Sequence, residues 1–263
     1  MQAVATVAIL AGYWWLFYHH PVPQPGPEFD FVKYGLPKDW PLFSGIAAHW
    51  NKHVNFATAF DLWLLNLFPR TKPFALERGG AGYATLNFIP SMATMIFGLM
   101  AGELLRSPRS PRRKLVTLLL AGAVLMAAGL AAGWTICPIV KHIWTPSWAL
   151  MSGGLVIWML AAFYAVTDVA GYRRWAFPLV VVGMNSIVIY VMSQLLGGWT
   201  WKMITLHVGP LIKWSPVDNA IRSIFGAKGF NPIYMPIVQS ASVLLVFWLI
   251  CWWLYRRKIF VRI

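Results

Sequence analysis

Residues 106–136 read RSPRSPRRKLVTLLLAGAVLMAAGLAAGWTI. Five cations fall in the first nine positions, and none of the 22 residues that follow is charged. At about 1.5 Å of rise per residue, a helix of that length matches a hydrocarbon layer about 30 Å thick. A segment in lipid must satisfy its own backbone N–H and C=O groups, and a helix does so internally. Four further windows, 86–105, 148–167, 177–196 and 235–255, read the same way, and Glu103 is the single charge in all five. A shorter apolar stretch, 3–18, has no basic start and no small-residue cleavage site, so it reads as a short spanning helix and not a signal peptide. The chain is 59% apolar and 11% charged, against about 45–50% and 25% in soluble domains. Disorder, collagen, coiled coil, a disulfide scaffold and a water-soluble core are excluded. The expected fold is an all-α polytopic transmembrane bundle of about six spans, forming one domain with two long external loops, 19–85 and 197–234.

The basic turn Arg106–Lys114 sets the orientation, because loops rich in Lys and Arg stay cytoplasmic. Alternation then puts Arg173 and Arg174, and the tail with Arg256, Arg257, Lys258 and Arg262, on the same side. Half of the 22 Lys and Arg thus gather in three short cytoplasmic pieces, and both termini lie inside. The net charge of +14 is a topology signal and an attraction to the anionic lipid of the bilayer. With no zinc knuckle and no RNA-binding aromatic motif, nucleic acid is not an expected partner. Outside, the run Pro21-Val22-Pro23-Gln24-Pro25-Gly26-Pro27 cannot be helical. Residues 55–68 are apolar but short and contain Asp61 and Asn66, so they are expected in the interface or against the bundle. Long structured connections carry function more often than short ones, which points to the outer face as the substrate side. Cys137 and Cys251 fall at opposite ends of their spans and are expected to be free thiols.

Window 177–196 holds Asn185, Ser186, Tyr190, Ser193 and Gln194. The last four have the i, i+4, i+7, i+8 spacing of one helix face, and Asn185 lies about 12 Å into the span. Interhelical hydrogen bonding and the lining of a substrate cavity explain this stripe equally well. Outside, His49, Asn51 and His53 put two imidazoles at i, i+4, which on a helix would share a face. No Glu lies between them and no third ligand is near, so no metal is expected; the choice is between exposed interfacial histidines and a substrate-binding or general-base role. Lys141 and His142 share a short outer turn with Trp144 and Ser147; the Lys–His pair is either a boundary anchor, with Trp144 and Trp148 in the aromatic belt, or faces a cavity and binds a hydroxyl-rich or anionic ligand. On the inner side Arg112, Arg113, Arg173 and Arg174 satisfy the topology rule, and they also suit the phosphates of a nucleotide-like cofactor. Glu103 is expected to pair with Arg106. Gly98 with Gly102, and Gly129 with Gly133, are expected to allow close helix approach.

In order along the chain, Gly98 with Ala101-Gly102, then Lys141, Trp144 and Ser147, then Gly183-Met184-Asn185-Ser186-Ile187 with Tyr190, and finally Tyr255-Arg256-Arg257-Lys258-Ile259-Phe260 form a pattern. It resembles the C-terminal half of the heparan-alpha-glucosaminide N-acetyltransferase family and its bacterial relatives. The resemblance implies a multi-span acyltransferase that moves acetyl from cytosolic acetyl-CoA, its co-substrate, to the amine of an amino sugar or glycan acceptor across the membrane, without a metal. Acyl transfer needs a base or a carrier nucleophile, and donors for the oxyanion. In that family the catalytic histidine lies in an N-terminal portion which this chain is expected to lack, so the catalytic residue is left unassigned. Lys141, Trp144, Ser147, Asn185, Ser186 and Tyr190 match the pattern and are expected to line or support the substrate path, together with His49, Asn51 and His53. The four arginines are expected to hold acetyl-CoA. Transfer is expected only when a separate N-terminal half is supplied; a second copy of the chain is the other possible partner. A permease subunit and a non-catalytic assembly partner are the competing readings, the first weakened by the absence of charges deep in the spans and of an inverted repeat. The expected location is a bacterial inner membrane.

Overall fold

The computed structural model describes residues 1–38, 40–69, 71–76, 82–212 and 235–261. The regular elements among the described residues are helices apart from one hairpin of two two-residue strands, and the chain divides into two units, Met1–Ala170 and Gly171–Ile263. The first unit contains α1 (Gln2–His19), strands β1 (Trp50–Asn51) and β2 (Val54–Asn55), α2 (Phe56–Asn66), α3 (Phe88–Arg106), α4 (Pro111–Thr135) and α5 (Pro146–Tyr164). A π turn, Ala165–Val169, extends α5. The second unit contains α6 (Phe177–Met184), α7 (Ser186–Ile212) and α8 (Met235–Arg256).

Four helical stretches, Thr85–Arg106, Pro111–Thr135, Pro146–Val169 and Met235–Arg256, are long and apolar enough to cross a membrane. A bent pair, Arg174–Met184 with Ser186–Val208, makes a fifth if taken as one span. At 18 residues α1 is not among them, since Tyr13, Trp14, Trp15, Tyr18 and His19 fill its last turns.

The helix ends follow from local chemistry. Pro111 and Pro146 occupy first-turn positions, where a missing N–H costs nothing. The Thr145 hydroxyl accepts the Trp148 N–H at the start of α5. Between α3 and α4, Lys114 Nζ donates to the Leu105 carbonyl at 2.7 Å and so satisfies one of the orphan acceptors of the α3 end.

The broadest helix contact is α4 on α5, and α1 lies along α3. A methyl group built on Gly122 would overlap the Trp158 indole, and one on Gly154 would come within 2.7 Å of the Gly122 carbonyl. Gly129 and Gly133 are also closely faced, by Met151 and Ile139. Gly98 and Gly102 have open space instead, so the close approach expected there does not occur. Nor does Glu103 pair with Arg106 as expected; its carboxylate accepts from the Gln2 amide at 2.7 Å, because α1 lies against this end of α3.

The second unit corrects the reading of 177–196 as one straight span. The chain breaks at Asn185 and turns by 69°, and α7 then runs on to Ile212 through residues expected to open the outer loop. Asn185 is fully buried, its amide donating to the Ile259 carbonyl at 3.2 Å and accepting the Val261 N–H at 3.1 Å. Val181, Met192, Phe247 and Cys251 form the core of this unit. Both cysteines are free, as expected, and both are buried.

Candidate functional site

The segment His49–Asn55 is a hairpin and not a helix, so the expected shared face of His49 and His53 does not form. A 3₁₀ turn ends at His49, Trp50 pairs with Asn55 and Asn51 with Val54, and Lys52 and His53 alone make the turn. Such a tight turn draws a residue into the left-handed region, which histidine tolerates better than most; His53 has φ 62°. The consequence is divergence of the two imidazoles. His49 is half-buried against Tyr18 and Trp50, with Nδ1 3.1 Å from the His20 carbonyl.

His53 is 7% exposed and lines a cavity of about 370 Å³. Aromatic side chains, among them Trp40, Trp50 and Tyr83, form much of the wall, and Asn55, Thr58, Asp61 and His142 supply polarity. Its volume falls in the range of small-molecule sites, about 300–1,000 Å³.

The tautomer of His53 is fixed by its neighbour. Nδ1 lies 2.8 Å from the Tyr34 carbonyl, which can only accept, so Nδ1 carries the hydrogen and Nε2 the lone pair. Burial lowers the His53 pKa below the ordinary 6.5, with the Lys52 charge acting in the same direction and the Tyr34 bond opposing both. The ring is therefore neutral at pH 7. Nε2 is buried without a protein partner, as is the Trp50 Nε1, which belongs to another lining residue. Each such group costs about 1–3 kcal/mol when left unsatisfied. Two lining residues thus carry a buried acceptor and a buried donor that no protein group uses.

The rest of the site is supported by polar groups already in use. Asn51 clamps Phe43, accepting its N–H at 2.7 Å and donating to its carbonyl at 2.9 Å. Asn55 caps α2 through Thr58 and donates to the Asn51 carbonyl. The Asp61 carboxylate accepts the Thr85 N–H. The turn bearing Val140–Ile143 is held by Tyr13, whose hydroxyl donates to Ile143 O at 2.8 Å, and by Asn87, whose amide donates to His142 O at 2.9 Å.

Of the expected site residues, Asn51 and His53 line this cavity. Lys141 is exposed and outside the lining. Trp144, at φ 48°, packs beside Leu10, Ala93 and Ala149. Ser147 is buried, donating to the Pro138 carbonyl and bonded to Thr145. Asn185, Ser186 and Tyr190 belong to the second unit, where Asn185 ties down the C-terminal residues and Ser186 and Tyr190 are exposed on α7. Arg112 and Arg113 meet Arg109 around a separate recess, while Arg173 and Arg174 lie in the second unit. Trp50, Asp61 and Tyr83 are lining residues that the sequence reading left out of the site, and His142, weighed there only beside Lys141, lines it without that lysine. Among the described residues no group of three metal-ligating side chains forms. The chain matches no protein-family model and no curated protein.

Proposed function

We propose that the chain is an integral membrane acyltransferase component whose outer cavity binds the acceptor, an amino sugar or related glycan. In this reading about six spans cross the inner membrane, both termini are cytoplasmic, and acetyl comes from acetyl-CoA on the cytoplasmic side. The observation that carries it is the buried, partnerless lone pair on His53 Nε2 in an aromatic-walled cavity. A neutral imidazole of fixed tautomer accepts a hydrogen from the acceptor's amine. With the thioester arm of acetyl-CoA reaching through the bundle from the cytoplasmic side to meet the acceptor, the amine nitrogen attacks the acetyl carbonyl, the carbon–sulfur bond breaks, and the coenzyme thiolate leaves as His53 takes the proton. The Asp61 carboxylate favours an ammonium-bearing ligand, and aromatic walls suit the apolar faces of a sugar ring. A base role for His53 comes from geometry and not from the family resemblance, which implies a histidine elsewhere.

The test is transfer of labelled acetyl from acetyl-CoA to a glucosamine acceptor in membranes carrying the chain, with and without the family's N-terminal portion. The expected result is transfer in the combined membranes, reduced by about 10²–10⁴-fold in His53→Asn. Asparagine tolerates the left-handed turn position, so the hairpin is kept. Absence of transfer in both membranes, or full activity of His53→Asn, contradicts the proposal.

A further inference from the structure

At the other end of α4 from the His53 cavity, Arg109, Arg112 and Arg113 surround a recess of about 600 Å³ with Val116 and Thr117. Arg109 and Thr117 also line a groove of about 800 Å³ that runs between α1, α3 and α4. Its walls are mainly apolar, with Val7, Leu10, Met100, Leu120 and Val124 among them. The groove has a simple origin. α1 packs on α3 and α4 packs on α5, so α3 and α4 touch little although a four-residue turn joins them.

We infer that recess and groove together bind one anionic phospholipid, its phosphate among the three guanidinium groups and one acyl chain along the groove. Charge supports the head-group end. None of the three arginines is bonded to a carboxylate among the described residues. Lys114 is already used on the Leu105 carbonyl, and the Glu103 carboxylate in the groove is held by the Gln2 amide. The start of α4 has no side-chain cap, so its positive dipole end adds to the field. Basic recesses between helices at the cytoplasmic face are where such lipid head groups bind.

Length supports the chain end. Gln2 and Leu10 both line the groove, and eight residues of helix span about 12 Å, close to half of a hydrocarbon layer about 30 Å thick. The phosphopantetheine arm of acetyl-CoA is long enough for this slot but carries two amides, whereas the walls are mainly apolar, so the groove favours an acyl chain over the acetyl-CoA role expected for Arg112 and Arg113. The inference does not depend on the acetyl-transfer reading.

The experiment is lipid retention by the purified full chain, followed by native mass spectrometry from nanodiscs of mixed phosphatidylglycerol and phosphatidylcholine. One retained phosphatidylglycerol is expected, with retention falling about fivefold for each of Arg109, Arg112 and Arg113 changed to Gln. Ala121→Trp, which fills the groove and leaves the arginines untouched, should also reduce retention. Equal retention of the two lipids, or undiminished retention in the triple arginine variant or in Ala121→Trp, overturns the inference. So does displacement of the lipid by millimolar inorganic phosphate or by acetyl-CoA, which would mark a phosphate site without a chain slot.

Discussion

His53 owes its fixed tautomer to a backbone carbonyl. The Tyr34 oxygen claims Nδ1, burial keeps the ring neutral, and what remains is one buried lone pair without a protein partner, on a residue that lines the cavity. If that lone pair takes the acceptor's proton, activity needs the neutral ring. Since the folded pKa lies below 6.5, the acidic limb of the pH–rate profile should fall below pH 6.5. As pH drops through the folded value the ring protonates and the rate is lost; His53→Asn should abolish this limb. A limb centred above pH 6.5 would assign the titration to another group. Tyr13→Phe tests the support of the same cavity. It leaves the buried Ile143 carbonyl without its donor, with an expected loss of about 1–3 kcal/mol in thermal unfolding, and an unchanged melting temperature would count against the tie. At this scale the sequence was only partly legible. His53 and Asn51 stand out as polar residues in an apolar neighbourhood, whereas a carbonyl acceptor such as Tyr34 O leaves no mark in side-chain identity.

Apolar run length and residue spacing identified most of the long elements, because continuous apolar runs bounded by proline and arginine admit few other structures in lipid. They misread two short regions for physical reasons. The i, i+4 spacing of His49 and His53 is indifferent to whether the segment turns as a helix or folds back after two residues, and the pairing of Trp50 with Asn55 decides for the hairpin. The break at Asn185 is invisible to hydropathy, since the apolar run continues through it; the Asn185 amide prefers the backbone of residues 259 and 261. Asn185→Leu should therefore act on stability, costing about 1–3 kcal/mol for the groups left unpaired. A changed acceptor KM without destabilisation would return Asn185 to the substrate path. Among the glycines, spacing alone singled out Gly98 and Gly102, which face open space, and passed over Gly122 and Gly154. Gly154→Leu should destabilise by about 1–3 kcal/mol or more through overpacking, and Gly98→Leu should be near neutral in the same unfolding assay.

For the molecule as a whole, the two proposed binding surfaces of the first unit lie at opposite ends of α4: the His53 cavity beside the turn after Thr135, the arginine recess at the helix start. That separation has meaning only if α4 crosses a bilayer with its arginine end inside. Sequence composition made the membrane class plain, and the basic turn gave a direction; the cavity itself depends on side chains scattered from Trp40 to Ile143, whose convergence no local pattern reveals. The most direct test is cysteine labelling in intact cells with a membrane-impermeant maleimide, in a chain whose two native thiols are buried. Ser44→Cys, in an exposed segment expected outside, should label without permeabilisation, and Ser110→Cys, in the exposed turn before α4, only after it. Labelling of Ser110→Cys in intact cells, or protection of Ser44→Cys there, would contradict the account.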